Sequence, residues 1–159
     1  MLVKLATLLY IKNSNGDYLL LERAKNPNKG LLSPPGGKLK TEEGESPFGC
    51  AVREAKEECN IDSKPEDWKL IGIITEKDYP DIGNIMIFLF EYRYFLNEIP
   101  QEINEGIFRF INPSQFNNVK IPETDKLFIW NFVLRNTQSL FSLHLDCSNE
   151  KIECKIEQG

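Results

Sequence analysis

The sequence predicts an α/β (α+β) protein, a mixed β-sheet covered by helices and formed by residues 1–159 as one domain. Three observations carry this expectation. Apolar runs with strand character recur along the chain, several of them joined by turn sequences that make hairpins. Two segments, 46–59 and 123–135, instead carry apolar residues at helical spacing. The length of 159 residues and the 41% apolar content suit a single core, and no repeat, linker or low-complexity tract divides the chain. Strands interrupted by two helices, with hairpins among them, pack as a mixed sheet under helices.

The elements follow in order. Val3 to Ile11 is apolar and β-branched and reads as a strand. Asn13 to Asp17 is turn chemistry, because Asn and Gly tolerate positive φ. Tyr18 to Glu22 is the returning strand. Ala24 to Pro35 holds two Asn, a Lys-Gly step and three prolines, a loop that feeds the glycine pair Gly36-Gly37. Ser46 can cap a helix and Pro47 suits its first turn. That helix is expected to run to about Cys59. Phe48, Ala51, Val52, Ala55 and Cys59 fall on one stripe about 100° wide, at ~100° per residue. Asn60 stands where a helix ends in a left-handed residue.

Trp68 to Thr75 reads as a strand, Lys77 to Gly83 as a loop and Asn84 to Phe95 as a long apolar and aromatic strand. A polar connection, Asn97 to Asn104, leads to a short strand, Glu105 to Ile111. Asn112 to Asn118 is turn-rich. Glu123 to Arg135 carries Leu127, Trp130 and Leu134 at helical spacing and is expected to be the second helix. Leu140 to Leu145 and Lys151 to Ile156 alternate and suggest a closing hairpin.

Composition narrows the function. A net charge of −5 disfavours broad binding to a nucleic-acid polymer, which needs clustered Lys and Arg. The four cysteines form no C-x-x-C pair and His144 is the sole histidine, so a structural zinc site is poorly supported. Cys50 and Cys59 are expected to be buried as small apolar residues. Cys147 and Cys154 could face each other across the last hairpin, although a reducing compartment disfavours a disulfide. The apolar N-terminal run is too short to span a membrane and enters a turn directly, so it reads as a strand and a cytoplasmic location is expected.

The chemistry concentrates between Gly36 and Ile61. Glu54 and Glu58 are four residues apart and Glu54 and Glu57 three apart, so the three share a face opposite the apolar stripe. Like charges so placed repel unless a cation offsets them. Hard cations such as Mg²⁺ take oxygen ligands and commonly keep waters and substrate phosphates. Arg53 points about 100° away from Glu54 and can reach back to Glu45 on the preceding loop, in a bidentate pair that fixes loop to helix. Gly36 and Gly37 let the backbone approach a metal or phosphate, with a carbonyl as a further ligand. Acidic helix faces alone are usually just solvated. The informative feature is the joint pattern of glycine pair, loop Glu, capped helix and R-E-x-x-E-E.

That pattern resembles the Nudix box, G-x5-E-x7-R-E-U-x-E-E-x-G-U with U aliphatic. From Glu45 through Arg53-Glu54-Ala55-Lys56-Glu57-Glu58-Cys59-Asn60-Ile61 the register holds. There are three departures. Seven residues rather than five separate Gly37 from Glu45, Asn60 replaces the terminal glycine, and Ala55 is small at an aliphatic position. None removes a carboxylate.

The resemblance implies a Nudix fold, an α/β/α sandwich around a mixed β-sheet with a metal-binding helix. It implies Mg²⁺- or Mn²⁺-dependent hydrolysis of a nucleoside diphosphate linked to another group. Glu54, Glu57 and Glu58 are then the metal carboxylates and the Gly36 carbonyl a further ligand. Glu57 or a later acidic residue, Glu58 or Glu105, orients or deprotonates the attacking water.

Beyond the box, the chain is similar to the branch that hydrolyses 8-oxo-dGTP. On that likeness Thr7, Arg23, Ser33, Gly37, Lys38 and Asp125 line the substrate pocket, Asp125 reads the purine edge, and Glu105 is also a metal ligand. Ser33 stands where the branch often has Asn, and a hydroxyl lacks the amide's paired donor and acceptor. The expected partner is a small nucleotide, not a nucleic-acid polymer or a membrane, for a monomer or homodimer. Two other readings are hydrolysis of ADP-ribose or a dinucleoside polyphosphate, and a non-hydrolytic ligand sensor, which predicts a decayed box.

Overall fold

A computed structural model describes residues 3–135 and 138–159. Its strands are β1 (Lys4–Lys12), β2 (Tyr18–Arg23), β3 (Leu32–Ser33), β4 (Gly36–Lys38), β5 (Trp68–Tyr79), β6 (Gly83–Phe95), β7 (Gly106–Ile111), β8 (Phe141–Asp146) and β9 (Glu153–Gln158). Helix α1 spans Pro47–Cys59 and helix α2 spans Trp130–Val133. All the strands belong to one mixed sheet whose spine runs β3-β2-β1-β6-β5-β8-β9. β1 with β6 and β5 with β8 are parallel, and the remaining pairs are antiparallel.

The sheet splits in two. β1 and β2 pair only at Lys12↔Tyr18. Beyond that rung β1 takes β4 as its partner, while β2 takes β3 and β7. The short segment from Leu32 to Lys38 therefore bridges both halves and brings the glycine pair to the fork.

Each face of the sheet has its own core. On one, Leu9, Ile11, Trp68 and Phe90 pack under α1. The helix touches the strands through Cys50, Ala51, Ala55 and Cys59, all buried. Small side chains let its axis come close, and Phe48 meets Phe90 edge-on at 4.7 Å. On the other face, Tyr10, Ile74, Ile87 and Leu89 of the strands share a core with Trp130 of α2.

The expected helix caps are present. The Ser46 Oγ accepts from the Gly49 N–H at 3.0 Å, and Asn60 ends α1 with φ 55°. The second helix departs from ideal spacing. A π-helical turn, Asp125–Ile129, precedes α2, and the Trp130 N–H donates to the Asp125 carbonyl five residues back. The wide turn shifts the phase, so Ile129, Trp130, Phe132 and Val133 are buried while Leu127 and Leu134 are exposed.

Other boundaries shift too. β5 continues through Glu76 to Tyr79 with a bulge against β6, where a loop was expected. Two residues of the Ala24–Pro35 loop form β3, which pairs with Leu21 and Glu22 of β2. Cys147 and Cys154 are free thiols. The β8–β9 register sets Cys154 opposite Leu145, not Cys147. Among the described residues no helix is long and apolar enough to cross a membrane.

Candidate active site

α1 presents its acidic face to the glycine pair. The Gly36 N–H donates to Glu58 Oε1 at 2.9 Å. The Glu54 carboxylate lies flush against Gly37, where an added Cβ would stand 2.5 Å from Glu54 Cδ. Gly36 is more tightly constrained, since its φ is 152° and a Cβ would strike the Thr7 carbonyl. Glycine is therefore required at Gly36, where backbone would have to move, whereas at Gly37 a Cβ would displace only the end of the Glu54 side chain.

Arg53 is the hub of the loop–helix junction. Its Nε and Nη2 donate to the two Glu45 oxygens at 2.7 and 2.8 Å. It also reaches Glu54 at 2.7 Å, Glu57 at 3.2 Å and the Lys38 carbonyl at 3.1 Å. The Lys40 N–H completes the Glu45 shell at 3.0 Å. The Arg53 hydrogen bonds, with smaller help from Lys40, hold the Glu45 carboxyl down at about 2. The lengthened connection between Gly37 and Glu45 contains a three-residue 3₁₀ turn, Thr41–Glu43, ended by Gly44 in the left-handed region. This turn keeps Glu45 in reach of Arg53 despite the longer loop.

The carboxylates differ in environment. Burial pushes Glu58 up to about 8, aided by the charges of Glu54 and Glu105 and opposed by the Gly36 N–H and Arg23. Burial also raises Glu54, against the pull of Arg53. Glu57 is the exposed member, with 54% of its side chain in solvent. The donor set is all oxygen, which suits a hard divalent cation, and a cation would offset the burial and, to a lesser degree, the mutual repulsion that raise Glu54 and Glu58. Among the described residues no three His, Cys, Asp or Glu side chains converge on one point. Arg53 draws Glu54 and Glu57 towards itself while Gly36 holds Glu58.

The other predicted site residues divide between two places. Glu105 and Arg23 stand near Glu58, as their effects on its charge show, and the Glu105 carbonyl accepts from the Ala24 N–H at 2.8 Å. Arg23 Nε donates to the Pro27 carbonyl at 2.6 Å. Lys38 is exposed and offers its carbonyl to Arg53. Thr7 is buried beneath α1, with its hydroxyl donating to the Gly37 carbonyl at 3.3 Å and within 3.5 Å of Cys50 Sγ. It braces β4 on the α1 side of the sheet. Ser33 is buried in β3. Asp125 lies on the other sheet face, under the π-helical turn.

Asp125 has a neighbour that sequence reasoning missed. Glu76 of β5 is 5% exposed and close enough for the Asp125 charge to raise it. Tyr79, whose hydroxyl donates to Asn28 Oδ1 at 2.9 Å, feels both acids. The available signal was alternation. Gly72, Ile74 and Glu76 share one face of a strand, so an acid at Glu76 had to point into the core.

Residues 3–131 match the family model of the NUDIX domain. Among solved structures, the chain is similar to the mutator MutT protein of Bacillus halodurans, at 20% identity and TM-score 0.76 over 98% of each chain. It is also similar to the MutT protein of Methanosarcina mazei Go1, at 21% identity and TM-score 0.70, covering 86% of this chain and 96% of that one. The NUDIX domain of Shewanella oneidensis NrtR, solved with ADP-ribose, shares 14% identity at TM-score 0.67 over 86% of this chain and 89% of that one. At such identities the likeness shows the shared fold, and the family follows from the domain match together with the intact box. The chain, with its glycine pair packed on the acid face of α1, therefore belongs to the NUDIX domain family and is a Nudix hydrolase.

Proposed function

We propose that this Nudix hydrolase cleaves a nucleoside triphosphate to the monophosphate and pyrophosphate, with Mg²⁺ or Mn²⁺ and an oxidised purine such as 8-oxo-dGTP as substrate. One observation carries the reading. The complete Arg53, Glu54, Glu57 and Glu58 set is present, with Arg53 clamped by Glu45 and holding Glu54 and Glu57, and Glu58 held by the Gly36 N–H at the glycine pair. A ligand sensor would not need that set intact.

Glu54, Glu57, Glu58, Glu105 and the Gly36 carbonyl would hold the divalent cation. Such an ion polarises phosphoryl oxygens and lowers the pKa of water. The protein's own groups do the rest. Arg53 fixes Glu54 and the Lys38 backbone relative to each other, so the phosphate-facing loop is set before substrate arrives. Glu57, the most exposed of the three helix carboxylates, can leave Arg53 for a ligand at little cost. Glu57, Glu58 or Glu105 accepts the proton of the attacking water. Arg23 and Lys38 meet the phosphate charge, Thr7 braces Gly37, and Ser33 and Asp125 line the base pocket.

The test is turnover of a panel containing nucleoside triphosphates, 8-oxo-dGTP, ADP-ribose and dinucleoside polyphosphates, with Glu57→Gln and Glu58→Gln as controls. The reading expects triphosphates to lead and both variants to lose about 10²-fold or more. ADP-ribose leading the panel would transfer the assignment to the other substrate class. Full activity in Glu58→Gln would remove Glu58 from the metal site. A Ser33→Asn variant with sharpened preference for 8-oxo-dGTP would support the pocket alignment.

A further inference from the structure

β9 is the edge strand at one end of the sheet. Among the described residues it pairs with β8 alone, so one row of its backbone N–H and C=O groups faces outward. An open row of this kind is a template for pairing with another chain. Exposed edges are commonly blunted by charge, and β9 carries Glu153, Lys155 and Glu157, all exposed. Among the described residues none of the three makes an ion pair within the chain. Between them stand Cys154 and Ile156. Cys154 lies opposite the buried Leu145 and packs on the core, while Ile156, opposite the buried Leu143, is 54% exposed. The apolar core of that sheet face therefore reaches the edge and ends in the open.

The order of charges decides which pairings the edge allows. A second copy of the chain can pair β9 with β9 antiparallel, about a two-fold axis perpendicular to the sheet. Directly opposed residues then point to the same face. A residue on the axis meets its own copy, and residues equally spaced on either side of it meet each other. Four such registers overlap by three or more of the six residues Glu153–Gln158. With Lys155 on the axis, Lys155 meets itself and Glu153 meets Glu157 twice. With Glu157 on the axis, Glu157 meets itself. With Cys154 on the axis, Glu153 meets Lys155 twice, but only three strand residues overlap. With Ile156 on the axis, Lys155 meets Glu157 twice, Ile156 meets Ile156 and Cys154 meets Gln158, with five residues overlapping. This last register alone joins the longer overlap to opposite charges, and it covers Ile156.

We propose that β9 is a homodimerisation edge, pairing antiparallel with β9 of a second copy, with Ile156 on the two-fold axis and Lys155 opposite Glu157 on each side. The two sheets become one, and the charges that block the other long register select this one. A peptide of a single charge sign would complement only part of the edge, whereas a second copy answers both signs. The contact is short and sets a weak dimer, dissociating on the order of 10⁻⁵ M. Strands β1, β6, β5 and β8 separate β9 from β4 and its glycine pair, so the dimer leaves the acidic face of α1 open.

Sedimentation velocity of the full chain from about 2 to 200 µM reads the association. The wild type is expected to pass from monomer to dimer across this range. A monomer throughout overturns the proposal, including the case in which the edge serves another protein. Lys155→Glu and Glu157→Lys should each weaken association about tenfold or more, because each sets two like-charge pairs across the axis. An equal mixture of the two variants should regain the dimer, since every opposed pair across the mixed contact is again Glu against Lys. The register centred on Cys154 predicts no such rescue, because Glu153 of one copy would face the new carboxylate of the Lys155→Glu copy. Variants that dimerise alone as well as wild type, or a mixture that stays monomeric, overturn the proposal. Both charge variants should keep the wild-type Tm within about 2 °C, which separates lost association from lost folding. Ile156→Cys in a Cys154→Ser background should form a disulfide-linked dimer with copper phenanthroline, since directly opposed Cα atoms stand about 4.5–5.5 Å apart. Equal crosslinking of Cys154→Ser by itself counts against this register.

Discussion

Glu45→Gln tests whether the loop–helix clamp sets the site. The substitution removes the charge from a carboxylate that takes two Arg53 hydrogen bonds at 2.7 and 2.8 Å and one from the Lys40 N–H at 3.0 Å. Charge-assisted hydrogen bonds contribute about 1.5–3 kcal/mol where water is excluded and less where it reaches them. The two side chains are 14% and 19% exposed, and a glutamine keeps one neutral hydrogen bond, so the expected loss is about 2 kcal/mol. That corresponds to a fall in Tm of about 4–8 °C for a domain of this size. A double-mutant cycle with Arg53→Gln isolates the pair, with an expected coupling of about 1.5 kcal/mol.

The pH dependence of the same difference has a definite sign. The Glu45 carboxyl lies at about 2 in the fold against an ordinary value of 4.5. A depressed acid stabilises the fold fully above its unfolded pKa and loses that contribution as pH falls through its folded pKa. The stability gap between wild type and Glu45→Gln should therefore be constant above about pH 5 and close between about pH 4.5 and 2. Coupling below about 0.3 kcal/mol, or a gap that does not respond to acid, would refute the clamp.

Four further expectations follow from the geometry. Gly37→Ala should displace the Glu54 carboxylate, a flexible chain end, so thermal unfolding changes by less than about 1 kcal/mol while the Mg²⁺ concentration for half-maximal activity rises. Gly36→Ala forces a Cβ onto the Thr7 carbonyl, and should cost about 2 kcal/mol or more in chemical denaturation because backbone has to move. Gly72→Ala sets a Cβ 2.6 Å from the Phe141 ring, and should destabilise by about 1–3 kcal/mol with the specific activity of the folded fraction intact. Glu76→Gln should gain stability over wild type as pH rises from about 5 to 9, because a raised acid favours the fold below its unfolded pKa and loses that advantage through its folded value of about 8; Asp125, pushed up to about 7 by burial, titrates in the same window, while Tyr10, Tyr79 and Cys147, all raised, stay protonated through it.

The local rules made α1 readable in detail. Ser46, Pro47, the small-residue stripe and Asn60 each have one structural use, and all four are used as expected. The Arg53–Glu45 pair was legible for the same reason, since a fixed helical register leaves few directions for a long side chain. The features that escaped depend on distant partners. β3 and β4 exist because the sheet forks after Lys12↔Tyr18, which no local pattern encodes. The π-helical turn altered which of Leu127, Trp130 and Leu134 is buried, because one wide turn rotates everything after it. Thr7 has the alternation of an ordinary strand residue, and its place beneath α1 rather than beside Asp125 depends on which sheet face each helix covers. Glu76 escaped because β5 outruns its apolar stretch, so an acid falls on the buried face.

Product analysis tests the central claim most directly. With Mg²⁺ and the best nucleoside triphosphate of the panel, the wild type should release nucleoside monophosphate and pyrophosphate in equal amounts, and Glu58→Gln, folded to the same Tm or higher, should release neither at a comparable rate. Nucleoside diphosphate with inorganic phosphate as products, or undiminished turnover by Glu58→Gln, would contradict the account.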